Sequence, residues 1–162
     1  MCSGDKVFLL IQNLKNRSKL GKGSWPNTAI LAGTGQMNEP VWIINQAVLA
    51  MHDVLLVKFG GAPSLRNESL LESAPARPVN LWSYEKPNLF RLAAAYTYGM
   101  IKDHPFVDGN KRTGYLIGGM LLERNGHKLR ASEEEATAAI MDLDSHQITE
   151  TDFAHWLLAN CE

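Results

Sequence analysis

The sequence predicts an all-α protein with one irregular excursion. Apolar residues recur at helical spacing from Val41 onward, and helix start and stop signals punctuate the second half. Proline and turn formers crowd residues 60–88. With 162 residues, 45% of them hydrophobic, the chain can bury one core and is not a disordered segment. The 16 Lys and Arg against 17 Asp and Glu leave a formal charge of −1, so nothing draws the whole chain to nucleic acid or anionic membrane. Anion binding must therefore come from a local cluster, and direct nucleic-acid binding is not expected.

Residues 1–36 carry Lys15, Arg17, Lys19 and Lys22, then the stretch GKGSWPNTAILAGTG, without a sustained helical period. They read as an amino-terminal appendage or a start placed too far upstream. Gly21-Lys22 is not a phosphate loop. That motif needs Ser or Thr after the lysine and a glycine five residues before Gly-Lys, where Gly23 and Asn16 stand. Val7–Ile11 is too short for a signal-peptide core or a membrane span. Cys2 and Cys161, at opposite ends, make no disulfide framework, which suggests a reducing, cytoplasmic setting.

Residues 37–162 form the predicted domain. Val41, Ile44, Val48, Met51 and Leu55 mark one helical face, with Asn38 as cap, Pro40 in the first turn, and an end before Gly60-Gly61. Pro63, Pro75, Pro78 and Pro87 make residues 60–88 a long ordered loop, with a small flap or β-hairpin near 62–80. A helix follows over Leu89–Ile101, where Leu92, Tyr96 and Gly99 or Met100 share a side and the small residues suit close packing. Asn110–Arg124 is largely apolar after Gly114 and so central, with Asn125-Gly126 as a left-handed stop. Ser132-x-x-Glu135 is a capping box opening a helix to about Leu143. A last helix after Thr149 or Thr151 buries Phe153, Trp156 and Leu157.

The stretch HPFVDGNKRTG, residues 104–114, concentrates chemistry. Gly109 permits the backbone angles of an anion-binding nest, and the helix opening at about Asn110 adds free N–H groups and a positive dipole end. Lys111 and Arg112 add full charges. A carboxylate at Asp108 suits that place when a cation separates it from phosphate, as magnesium does with one or two carboxylates. His104 can accept a proton near neutral pH. Together they describe a phosphoryl- or nucleotidyl-transfer site. Singly, each feature has a plainer meaning: Asp-Gly-Asn is a common turn, a helix-end histidine caps carbonyls, and Lys-Arg is a solvated pair. Their joint occurrence at fixed spacing favours function. Elsewhere, His52 reads as a core or capping residue. His127, His146 and His155 lack metal-spaced partners, and Trp42, Trp82 and Trp156 read as packing. Lys102 reads as a solvated lysine, and Arg66 and Arg77 stay outside the predicted site.

The stretch also resembles the Fic/Doc signature His-x-Phe-x-Asp/Glu-Gly/Ala-Asn-Gly/Lys-Arg, matched in order by His104, Phe106, Asp108, Gly109, Asn110, Lys111 and Arg112. AMHDVLLVKFGG, LLESAPARP, AAAYTYGMIKDHPFVDGNKRTG and LLERNGHKL look like the death-on-curing branch, so the resemblance spans roughly residues 38–160. It implies a helical bundle with the motif loop between two core helices and a flap over the target segment, here residues 62–80. It implies His104 as general base and Asp108 as the Mg2+ ligand. Gly109, Asn110, Lys111 and Arg112 would hold the phosphates of ATP. Ser64, Asn67 and Pro75 depart from the flap pattern of relatives.

Lys111, and Tyr115 where adenylylating members carry a second arginine, favour phosphate transfer to a Ser or Thr hydroxyl. By resemblance the target is a translation factor such as elongation factor Tu. Gly109, where the Doc branch commonly has alanine, leaves AMP transfer as the second reading, and a non-catalytic antitoxin-binding role as the third. Self-restraint by a Ser/Thr-x-x-x-Glu-Gly/Asn helix is not expected. The only match in spacing, Ser64 to Glu68, is followed by Ser69 and faces no second motif arginine. Restraint by a small antitoxin of the prevent-host-death type is expected instead.

Overall fold

The computed structural model describes residues 38–63 and 65–162, so the expected appendage at 1–36 lies outside the described residues. Six helices are present among them: α1 Asn45–Phe59, α2 Glu68–Glu85, α3 Leu89–Asp103, α4 Asn110–Arg124, α5 Glu133–Asp144 and α6 Glu150–Ala159. The only β pairing among these residues is two isolated antiparallel bridges, Leu65 with Phe106 and Leu129 with Cys161. The all-α class is borne out.

Two boundaries differ from expectation. The first helix starts at Asn45 rather than at an Asn38 cap, because tertiary hydrogen bonds claim the preceding backbone. Asn125 grips Val41 from both sides: its Oδ1 accepts from the Val41 N–H at 2.8 Å, and its Nδ2 donates to the Val41 C=O at 3.2 Å. Tyr96 donates its hydroxyl to the Ile43 C=O at 3.2 Å, and burial pushes its phenol up to about 12. Asn125 thus does more than stop α4.

The second difference is larger. Residues 68–85, expected as loop and hairpin, form α2, with Pro75 and Pro78 inside it. Each proline removes one intrahelical hydrogen bond. Yet Leu71, Ala74, Pro75, Pro78 and Trp82 are all buried at helical spacing, so the prolines sit on the apolar stripe itself. The excursion shrinks to residues 60–67, which open with Gly60 and Gly61 at φ of 73° and 133°. Asn67 then caps α2, accepting from the Ser69 and Leu70 N–H groups at 2.9 and 3.4 Å, the same work an aspartate would do.

The remaining ends follow the sequence signals. Ser132 with Glu135 and Thr149 with Asp152 form reciprocal capping boxes, and these hydrogen bonds hold both carboxyls below their usual range. Phe153 and Leu157 are buried as expected, whereas Trp156 is half-buried and stacks on Phe153.

The core is organised around α3, which packs against α2, α4 and α6. Leu92, Ala93, Ala94, Ala95, Tyr96 and Met100 are fully buried. Small residues set the separations. A Cβ on Gly99 would lie 3.1 Å from Ala74 O of α2. On the α4 side, a Cβ on Gly114 would lie 2.9 Å from Thr97 O, and one on Gly118 would collide with Thr97 Oγ1 and reach 3.0 Å from Ala93 O. Thr97 cannot easily turn away, because its hydroxyl bonds Ala93 O at 3.2 Å and Gly114 O at 3.0 Å.

Adjacent glycines in α4 test this seam. Nothing lies within 4 Å of a Cβ built on Gly119. Gly119→Ala is expected to stabilise by up to about 1 kcal/mol through helix propensity, and Gly118→Ala to destabilise by about 1–3 kcal/mol through overpacking. Urea denaturation of both variants measures the difference, and equal effects would contradict the seam.

Candidate active site

The loop from His104 to Gly109 joins α3 to α4, and both ends are fixed by backbone conformation. His104 terminates α3 in the left-handed region at φ 47° and ψ 57°, half-buried. Gly109 opens α4 at φ 80°, where a side chain would be strained. Ser73 of α2 donates to Asp103 Oδ2 at 3.1 Å, anchoring the end of α3 just before His104.

Between these ends the loop is clamped from within. Asn110, at 4% exposure, accepts from the Phe106 N–H with its Oδ1 at 3.0 Å and donates to the Phe106 C=O with its Nδ2 at 2.8 Å. Its side chain is therefore committed to the loop, and any contact with phosphate must come from its backbone N–H. The flap is tied to the same loop. Arg66 and Asn67 N–H groups donate to Pro105 O at 2.7 and 3.2 Å, beside the Leu65–Phe106 bridge.

Beneath the loop lies buried His52. Its ring stacks on Phe106 with centroids 3.5 Å apart, and its Nδ1 is 3.2 Å from Thr113 Oγ1. Burial pushes its imidazole below the ordinary value, opposed by the charges of Asp53 and Asp108, so the ring is neutral at pH 7. The reading of His52 as a core residue holds; its contact with the motif was not legible from one sequence.

Asp108 is exposed, and its Oδ1 accepts from the Gly109 N–H at 2.7 Å. A Cβ on Gly61 would come within 2.8 Å of Asp108 Oδ2, so the flap glycine leaves room for the carboxylate. Gly109 offers no capping side chain, so the first turn of α4 keeps its N–H groups free of side-chain hydrogen bonds. Such an end attracts anions.

The two cations are held at the edges. Lys111 Nζ lies 2.6 Å from Asp144 Oδ2 at the end of α5, and the Arg112 guanidinium sits 5.3 Å from the Phe59 ring centroid. Partial exposure limits the Lys111 pair to about 0–1 kcal/mol, so a phosphate can compete for the lysine. Tyr115 is buried, and that burial pushes its phenol far up, so it offers the site no charge. Of the residues outside the predicted site, Arg77 pairs with Glu150 and lies over Tyr98, while Lys102 extends over the same ring. Trp42 meets buried Trp82 edge to face.

Among the described residues no group of three or more His, Cys, Asp or Glu gathers as a metal site. A single exposed carboxylate beside an open helix N-terminus instead fits a magnesium ion that arrives with phosphate and keeps waters.

Comparison with known proteins gives the family. The model of the Fic/DOC family matches residues 42–122, which include α1 to the end of the motif and most of α4. The chain belongs to the Fic/DOC family. It is 29% identical over 96 residues to the protein kinase doc of Escherichia phage P1, covering 59% of this chain and 76% of that protein. It is 36% identical over 77 residues to the toxin Doc of Mycolicibacterium smegmatis, covering 46% of this chain and 59% of that one. These relatives place it in the Doc branch. No helix among the described residues is long and apolar enough to cross a membrane.

The Asn110 clamp is open to a direct test. Asn110→Ala leaves two buried backbone groups of Phe106 without partners, at about 1–3 kcal/mol each. Asn110→Asp restores only the acceptor and sets a carboxylate against the Phe106 C=O, so it should rescue little. Both losses are measured by chemical denaturation, and a neutral Asn110→Ala would contradict the clamp.

Proposed function

We propose that this Fic/DOC protein is a toxin-type enzyme that transfers the terminal phosphate of ATP to a Ser or Thr hydroxyl of another protein. The observation that carries the reading is the motif loop itself. A histidine, an exposed carboxylate and a helix N-terminus without a side-chain cap lie within one clamped turn. The names of the two relatives, a protein kinase and a toxin, support it.

In this reading the open N–H groups of Asn110, Lys111 and Arg112 receive the phosphates beside the Gly109 turn, and Lys111 leaves Asp144 to share their charge with Arg112. Asp108 would hold a magnesium ion, which would supply charge neutralisation at the phosphates. The flap segment at Leu65–Asn67 would present the target segment beside the loop. His104 takes the proton of the target hydroxyl as its oxygen bonds the γ-phosphorus. The bond from that phosphorus to the bridging oxygen breaks, and ADP leaves. The buried, uncharged Tyr115 in place of a second arginine favours this over AMP transfer. A translation factor such as elongation factor Tu is the target class the family resemblance suggests.

The same reading calls for restraint. A small antitoxin of the prevent-host-death type would supply it, with a tail that folds as an amphipathic helix on binding. Leu65 and Val107, exposed apolar side chains on the flap and the loop, support a docking place beside His104.

Intact mass of candidate targets incubated with ATP and magnesium tests the reaction. A gain of one phosphate is expected. A gain of one AMP would establish the alternative, and no gain on any target would favour a binding-only role. His104→Ala should bind ATP normally and transfer roughly 10²–10⁴ times more slowly. Asp108→Ala should lose the magnesium dependence of ATP binding.

A further inference from the structure

His52 is buried, at 3% exposure, and takes no part in the proposed proton or phosphate transfer. One ring nevertheless meets three positions of the junction between the loop and α4. It lies flat on Phe106, with planes 7° apart, and its Nδ1 reaches Thr113 Oγ1. A Cβ on Gly109 would come within 3.3 Å of its Cε1, so the glycine backbone rests against the ring.

Space filling does not account for a histidine here. Its Nε2 is buried without a hydrogen-bond partner among the described residues. An unpaired buried nitrogen is unfavourable, and a leucine would fill similar volume without one. What leucine lacks is a rigid flat face and a polar edge. The flat face fixes the plane of Phe106, whose backbone Asn110 grips. The polar edge fixes Thr113, on the first turn of α4.

We propose that His52 is a positioning residue. It acts through Phe106, Gly109 and Thr113 to hold the loop and the first turn of α4 in the form that receives phosphate. The proposal rests on the phosphate-cradle reading of that turn. It predicts that loop order and global stability separate on substitution, because the ring orders the loop while its unpaired nitrogen disfavours the fold.

The test uses the full chain with His52→Leu, which keeps bulk, and His52→Phe, which keeps the flat ring. Denaturation midpoint, hydrogen exchange and ATP kinetics are read together. For His52→Leu the midpoint should stay near that of the unaltered chain. The Phe106 amide should exchange about tenfold faster or more while α6 amides do not change. KM for ATP should rise about tenfold with kcat within about threefold. His52→Phe should recover a substantial part of the lost loop protection. Unchanged Phe106 exchange in His52→Leu would overturn the proposal. So would a uniform rise in exchange across all helices, which marks a purely structural role. Should the unaltered chain transfer nothing from ATP, the kinase reading fails, and the exchange data alone still decide the role of His52.

Discussion

The closeness of α3 and α4 governs the rest of the structure. Gly114 and Gly118 bring the α4 backbone against Thr97 and Ala93, and Thr97 ties the two helices with a hydrogen bond to Gly114 O. Helices this close leave little freedom for the turn between His104 and Gly109. His104 takes a left-handed backbone angle that few residues other than glycine adopt, and Gly109 takes one that suits glycine. The seam, an apolar feature of the core, thereby sets the geometry of a polar site at its end.

That geometry divides labour between backbone and side chains. The anion-attracting face is made of main-chain N–H groups at the start of α4, whose position follows from the helix axis. The side chains around it mainly hold the turn. Asn110 clamps Phe106, and His52 lies under Phe106 and Gly109. The flap is anchored on Pro105 O, so flap and loop share one rigid base. Of the motif's polar side chains, His104, Asp108, Lys111 and Arg112 are at least partly exposed, and Lys111 pairs with Asp144.

Local signals in the sequence were accurate wherever local physics decides the structure. The capping box at Ser132, the Thr149 cap, the stop at Asn125-Gly126 and the glycine opening of α4 all rest on interactions within a few residues. The reading failed at α2, where Pro75 and Pro78 outweighed a stripe at 71, 74, 75, 78 and 82 that tertiary packing rewards. It failed again at residues 38–44, where Asn125 and Tyr96 claim backbone groups from across the fold. In the site, residue types and spacing marked the loop and the glycine opening of α4. The two supports were hidden for different reasons. Asn110 stands four residues after Phe106, a spacing suited to its clamp, but its motif position suggested phosphate. His52 lies 61 residues from Thr113, and no pattern in one chain links them.

The central claim is that nucleotide phosphates bind the open first turn of α4. Amide chemical shifts recorded during titration with ATP and magnesium test it most directly. The account predicts the largest changes at Gly109, Asn110, Lys111 and Arg112, smaller ones at Leu65–Asn67, and none along α6. Saturable binding with its largest changes elsewhere, and the α4 amides unmoved, would contradict it.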